Sequence, residues 1–149
     1  MYNYTLCGLD NVWLENGYTL RDTAYGQAVH IDDPDGLDLT IGLSLATKPG
    51  ELTGKELRFL RQNLGLSQKD VGRIVGVDAQ TVARWEKGET GINAAADKLV
   101  RLCFMAHVAG DTMTRETVAA INFIDKAVNA RIVLTHTSDW ESRRETCPD

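Results

Sequence analysis

Asp78, Ala79, Gln80, Thr81 and Arg84 place small and hydrogen-bonding side chains at the start and along one face of a short helical stretch. A Gln amide can pair in a bidentate way with the edge of adenine, and an Arg fork with the edge of guanine. A helix that opens on such groups fits the major groove of duplex DNA, which admits one α-helix. Asp78, Ala79, Gln80 and Arg84 are therefore the candidate base-reading residues. Gln68, Lys69, Thr81 and Lys87 are candidates for phosphate contact, which positions a protein but carries little sequence information. Gln68 would also brace the helix that carries the readers. Asp78 has a second role as a helix cap, and its charge close to phosphates would reject some sequences.

These side chains need a scaffold, and residues 66–89, LSQKDVGRIVGVDAQTVARWEKGE, predict one: two short helices joined by a tight turn. Ser67 can cap the first, with Asp70 three residues on, and Val71, Ile74 and Val75 recur at helical spacing. Gly76 breaks that helix and Asp78 caps the next. Val82 and Trp85 supply its apolar face, and Gly88 ends it. So short a pair cannot fold alone, and its apolar faces must close on neighbouring helices. Upstream, Thr53 and Glu56 form a capping box for a helix with Leu57, Leu60 and Leu64 on one side and Arg58 and Arg61 beside them. Downstream, Asn93 starts a long helix to about residue 109. Leu99, Leu102, Cys103 and Ala106 make one stripe on it, widened by Val100, Phe104 and Met105. Its start is expected to pack on the helix pair and its far end to meet a second copy. Leu99, Leu102, Cys103, Met105 and Ala106 are the expected dimer contacts.

Leu57, Arg61, Leu64, Leu66, Ser67 and Gln68, followed by Val71, Val75, Gly76, Val77, Val82, Trp85, Glu86 and Gly88, make residues 52–102 resemble the Cro/cI-type, or Xre, family of helix-turn-helix regulators. The resemblance implies a five-helix domain that binds double-stranded DNA as a homodimer on a palindromic operator. It further implies repression of transcription, with autoregulation. It also aligns Arg61 and Glu86 as an ion pair that ties the first helix to the end of the recognition helix. A physical reason stands beside it. Glu86 follows Trp85 near the core edge, where an unpaired charge is costly, and Arg61 can bring a planar fork to it.

At 149 residues the chain can bury one sizeable core. No apolar run reaches membrane-spanning length, and no basic start precedes an apolar stretch, so a soluble cytoplasmic protein is expected. Cys7, Cys103 and Cys147 are odd in number and far apart, and no disulfide framework follows. The formal charge of -5 is unevenly spread. Residues 1–50 carry two basic groups against seven acidic ones, residues 51–101 nine against seven, and residues 102–149 five against seven. The one positive third holds the helix pair, and phosphate binding needs local positive potential rather than a basic average. The acidic ends keep the protein soluble or face a basic protein partner.

The fold class that emerges is mostly α. Residues 1–50 form a small α+β module, residues 51–109 the helix-turn-helix domain, and residues 110–149 a helix and a short strand that serve dimerisation. In the first module, Val12, Trp13 and Leu14, then Asn16-Gly17, then Tyr18, Thr19 and Leu20 predict a hairpin. Residues 2–7 and 27–31 are further strand candidates. Leu37, Ile41 and Leu45 mark a short helix, and Lys48-Pro49-Gly50 a linker. Thr114 can cap a helix with Thr117, Ile121, Ile124 and Val128 on one face. Residues 131–136 predict a strand, with loose residues from Ser142 on.

This layout is similar to antitoxins of the MqsA type, which set an N-terminal zinc module before an Xre-type motif. That similarity implies the alternative function: an antitoxin whose N-terminal module binds a toxin protein. The zinc pattern has decayed here. Cys7-Gly8 stands as a remnant of the first ligand pair, Tyr4 occupies the earlier ligand position, and no second pair follows. Cys7 and His30 fall short of the four ligands of a structural site, so no metal and no cofactor is expected. His107 and His136 are isolated. Asp32, Asp33, Asp35 and Asp38 fit a solvated loop and helix start, where acids favour the helix dipole. No phosphate loop, nucleophile triad or paired-carboxylate motif points to an enzyme.

Overall fold

The computed structural model describes residues 1–110 and 130–146. The chain opens with strands β1 (Tyr2–Asn3), β2 (Trp13–Leu14), β3 (Tyr18–Thr23) and β4 (Gly26–Ile31). Five helices come next among the described residues: α1 (Pro34–Thr47), α2 (Gly54–Asn63), α3 (Gln68–Val75), α4 (Ala79–Lys87) and α5 (Ala94–Val108). Strands β5 (Ala130–His136) and β6 (Trp140–Thr146) close the described chain. The strands make three antiparallel pairs, β1 with β2, β3 with β4 and β5 with β6.

Each helix of the central domain starts where its sequence provides a cap. The Thr53 and Ser67 side chains accept the amides of Glu56 and Asp70, and both capping boxes are complete. Asp78 and Asn93 accept the amides of Thr81 and Ala96. Gly76 and Gly88 end α3 and α4 in the left-handed region, at φ 83° and 75°, where a Cβ is strained. The apolar faces between these caps converge on one core. Leu57, Leu60, Val71 and Val82 are fully buried, and Phe59, Trp85, Val100 and Phe104 surround them. Each such side chain stabilises the fold by about 1.5–3 kcal/mol relative to exposure.

The same core continues across the Lys48-Pro49-Gly50 linker. Ile41 and Leu45 of α1, Leu9 and Leu52 belong to it. The contact between α1 and α5 is close because position 42 lacks a side chain. A Cβ on Gly42 would lie 2.1 Å from Cζ of Phe104.

Two expectations about strands are corrected. Strands exist on both sides of Asn16-Gly17, but they do not pair with each other. β2 pairs with β1, and β3 runs against β4, with Tyr18 opposite Ile31 and Thr23 opposite Gly26. The hairpin turn expected at Asn16-Gly17 needs left-handed geometry at both central residues. Only Gly17 adopts it, and its carbonyl accepts the Asp32 amide at the end of the β3–β4 ladder. At the other end, the strand expected over residues 131–136 is half of a hairpin. Residues 142–146, expected to be loose, lie in β6, where Leu134 faces Ser142 and His136 faces Trp140; residues 147–149 lie outside the described residues. β6 reads WESRRET, so pairing rather than apolar alternation makes it a strand. The helix expected to start near Thr114 lies outside the described residues.

Candidate nucleic-acid interface

α3 and α4 meet at the left-handed Gly76 turn, where two successive amides share one acceptor: Gly76 N and Val77 N donate to the Gly72 carbonyl at 2.8 and 2.9 Å. Gly72 is buried where a Cβ would sit 2.5 Å from the Val77 carbonyl oxygen, so the turn packs directly on the α3 backbone. Val82 and Trp85 point α4 into the core. Gln80, Arg84 and Lys87 are left outside the core on α4, and Ala79 and Thr81 flank its start. On α3, Lys69 and Gln68 lie likewise outside the buried set of Val71 and Gly72.

Asp78 is committed to the helix start. Its Oδ1 accepts the Thr81 amide at 2.8 Å and the Thr81 hydroxyl at 2.7 Å. Those bonds, the hydroxyl first, hold its carboxyl below the usual carboxylate range. As arranged, the Thr81 hydroxyl proton goes to Asp78, which leaves that group an acceptor toward anything outside. The side-chain donors that α4 can turn outward are therefore Gln80, Arg84 and Lys87. Arg58 of α2 and Arg73 of α3 are also exposed. They extend the supply of cations around the motif, and no spacing rule marks them in the sequence.

Arg61 and Glu86 join the two ends of the motif's scaffold. Arg61 Nε and Nη2 donate to the two carboxylate oxygens of Glu86, each at 2.8 Å, and Nη1 donates to the Leu66 carbonyl at 3.0 Å. The side chains are 13% and 5% exposed. One guanidinium thus ties α2 to the last turn of α4 and to the loop that enters α3.

A second buried network holds the linker, and sequence reasoning missed it. Asp97 of α5 is buried and accepts the Leu52 amide at 2.9 Å. Arg101, one turn later, pairs with Asp97 and donates to the carbonyls of Lys48 and Gly50. Lys48 Nζ reaches Glu56 Oε1 at 2.7 Å, the atom that also accepts the Thr53 amide. Burial works to raise the Glu56 carboxyl, but the Lys48 and Thr53 bonds outweigh it and leave it below its ordinary value. The signal available in the sequence was an Asp–Arg pair at i, i+4 on a helix whose other face is apolar.

The expected dimer residues do not form one exposed patch. Leu102 and Met105 are exposed, whereas Leu99, Cys103 and Ala106 are half-buried. Burial pushes the Cys103 thiol up. In the N-terminal part, Cys7 Sγ donates to the Tyr4 carbonyl at 3.1 Å, and His30 Nε2 lies 3.6 Å from Asp32. Among the described residues no group of three or more His, Cys, Asp or Glu side chains is placed to hold a metal ion. None of their helices is long and apolar enough to cross a membrane.

With this geometry in place, α3, the Gly76 turn and α4 form a helix-turn-helix. Residues 57–102 match the helix-turn-helix family model, of the Xre/Cro type. The match begins in α2 and ends in α5, so it covers the scaffold and the polar face together. No curated protein and no solved structure matches the chain.

Proposed function

We propose that this protein is a sequence-specific DNA-binding repressor of the cytoplasm, acts as a homodimer on a palindromic operator, controls its own transcription, and is not an enzyme. The observation that carries the reading is the division of α4. Val82 and Trp85 are buried while Gln80, Arg84 and Lys87 stay outside the core on a helix whose start is held by Asp78. Outward amide and guanidinium groups at that spacing suit base edges, and Lys87 with Lys69 suits phosphates. A single motif reads only a few base pairs, so two copies with half-site centres about 34 Å apart, or a multiple of that, supply useful affinity. Leu102 and Met105 supply apolar surface toward a second copy.

The test is binding to the DNA upstream of the protein's own coding sequence. Arg84→Ala is expected to lose about 1–3 kcal/mol there and to relax preference at one base pair. Lys87→Ala should weaken all duplexes alike and flatten the salt dependence. Full discrimination by Arg84→Ala would show that α4 does not read bases in this orientation.

A further inference from the structure

The C-terminal end of α4 comes closest to the N-terminus of α2 at Gly54. An ideal Cβ there would lie 2.3 Å from the Trp85 carbonyl oxygen and 2.5 Å from that of Glu86. Both obstacles are backbone, so no rotamer change could make room. Gly54 is the first residue of α2 and lies just after its Thr53 cap. Its φ is not left-handed, so glycine is needed here for close approach and not for backbone freedom. Arg61 stands seven residues further along α2, about two turns away and on the same face. Its fork holds the Glu86 side chain of the residue whose carbonyl Gly54 approaches. The last turn of α4 is therefore mounted on α2 at two points, a bare backbone contact and a buried ion pair. That turn carries Arg84 and Lys87. The electrostatics agree, because the carbonyl end of one helix meets the amide end of another.

We propose that Gly54 is a positioning residue for DNA reading: by lacking a Cβ it seats the last turn of α4 and fixes where Arg84 and Lys87 stand against the duplex. This rests on the DNA-binding reading above. The opposite end of α4 rests on a different element, α3, where Gly72 lies against the Val77 and Asp78 backbone, and its first turn is closed by α4's own Asp78 cap. A methyl at position 54 should therefore lift one end of the recognition helix and leave the Gln80 end in place.

The experiment compares Gly54→Ala with the wild type on the upstream duplex and on a scrambled duplex of equal length. Gly91→Ala, where a Cβ meets nothing within 4 Å, is the control. Gly54→Ala should lose about tenfold to a hundredfold in affinity for the upstream duplex, and by a smaller factor, that of Lys87→Ala, for the scrambled duplex, where only the phosphate contact is disturbed. Base preference should relax at the pair that Arg84→Ala affects and persist at the pair that Gln80→Ala affects. Added to Arg84→Ala, it should cost no more than Lys87→Ala does, since the Arg84 contact is already gone and only the Lys87 contact is left to disturb. Amide resonances of residues 84–88 should shift while those of 78–80 stay. Arg61→Lys replaces the fork at the same end by a point charge. It should relax the same base pair, whether or not Gly54→Ala folds.

Uniform loss on both duplexes, or unmoved resonances at 84–88, would overturn the positioning role. A wild type that does not discriminate the two duplexes would instead overturn the DNA-binding reading, and the resonances would still decide whether Gly54 seats α4.

Discussion

Residues 53–88 and the β3–β4 hairpin, on either side of α1, have opposite physical characters. In the first, each helix begins on a side-chain cap, and α3 and α4 end on left-handed glycines. Their apolar faces disappear into one core. In the hairpin, the backbone ladder is complete from Tyr18–Ile31 to Thr23–Gly26, yet no residue of either strand is buried. Leu20 stays exposed and Tyr25 at the tip is fully in solvent. Tyr2 stacks on Tyr18 with ring centroids 5.2 Å apart and links the two small sheets. A two-stranded pair without a covered face is marginal in water. Burial therefore distinguishes the two regions, not the completeness of their hydrogen bonds. The element that must hold side chains still is the one whose backbone is backed by a core.

The sharpest test of that contrast is Leu60→Ala. Leu60 is fully buried, and the substitution should cost roughly 2–5 kcal/mol in urea unfolding. A cost under about 1 kcal/mol would mean that the core is not closed around α2.

Next in size is the ion pair. Glu86→Ala strands the Arg61 guanidinium at a largely buried site and should cost about 3 kcal/mol. The same variant should weaken binding to the upstream duplex by loosening the last turn of α4. Replacing both residues by apolar ones recovers much of the stability, and a double-mutant cycle measures the coupling. A coupling indistinguishable from zero would mean that the two side chains do not meet in solution.

The caps come below this. Ser67→Ala should cost about 1 kcal/mol. The capping carboxylates add a pH signature. Asp70 is held below its ordinary value first by the Ser67 amide and then by the Ser67 hydroxyl, and Asp78 and Glu56 are also lowered. A carboxylate whose pKa is depressed by folding binds fewer protons folded than unfolded. Its contribution is complete above the unfolded pKa and is lost as pH falls through the folded one. Urea midpoints should therefore decline from about pH 5 downward. Glu56→Gln should flatten that decline. An unchanged slope would remove Glu56 from the acid response.

The smallest effect belongs to the hairpin. Leu20→Ala should change stability by less than about 0.5 kcal/mol. A larger cost would reveal that something covers that face.

Local chemistry makes much of the helix-turn-helix legible in the chain itself. Ser67 with Asp70, Thr53 with Glu56, Asp78 with Thr81 and Asn93 with Ala96 are contacts over three residues, and such contacts are written in the order of the chain. The spacing of Val71, Val82 and Trp85 in the same way implies which faces turn inward, because a helix repeats every 3.6 residues. The β-structure obeys no such rule. The residues around Asn16-Gly17 do specify strands, but the partner of β3 depends on whether Asn16 adopts left-handed geometry and on where β4 lies. The ladder of β6 likewise exists only because β5 is beside it.

The caps, the left-handed stops, the inward faces of α2 to α4 and the polar set on α4 are legible in the residue order, since each depends on neighbours within about one turn. Packing in three dimensions makes Leu52 donate to Asp97 across 45 residues, lets Arg101 grip the linker carbonyls, and sets Gly54 against the backbone of Trp85 and Glu86. Those contacts join atoms whose separation along the chain carries no period. Packing alone brings them together, because a buried charge or an intruding Cβ is too costly to leave without a matching partner or space.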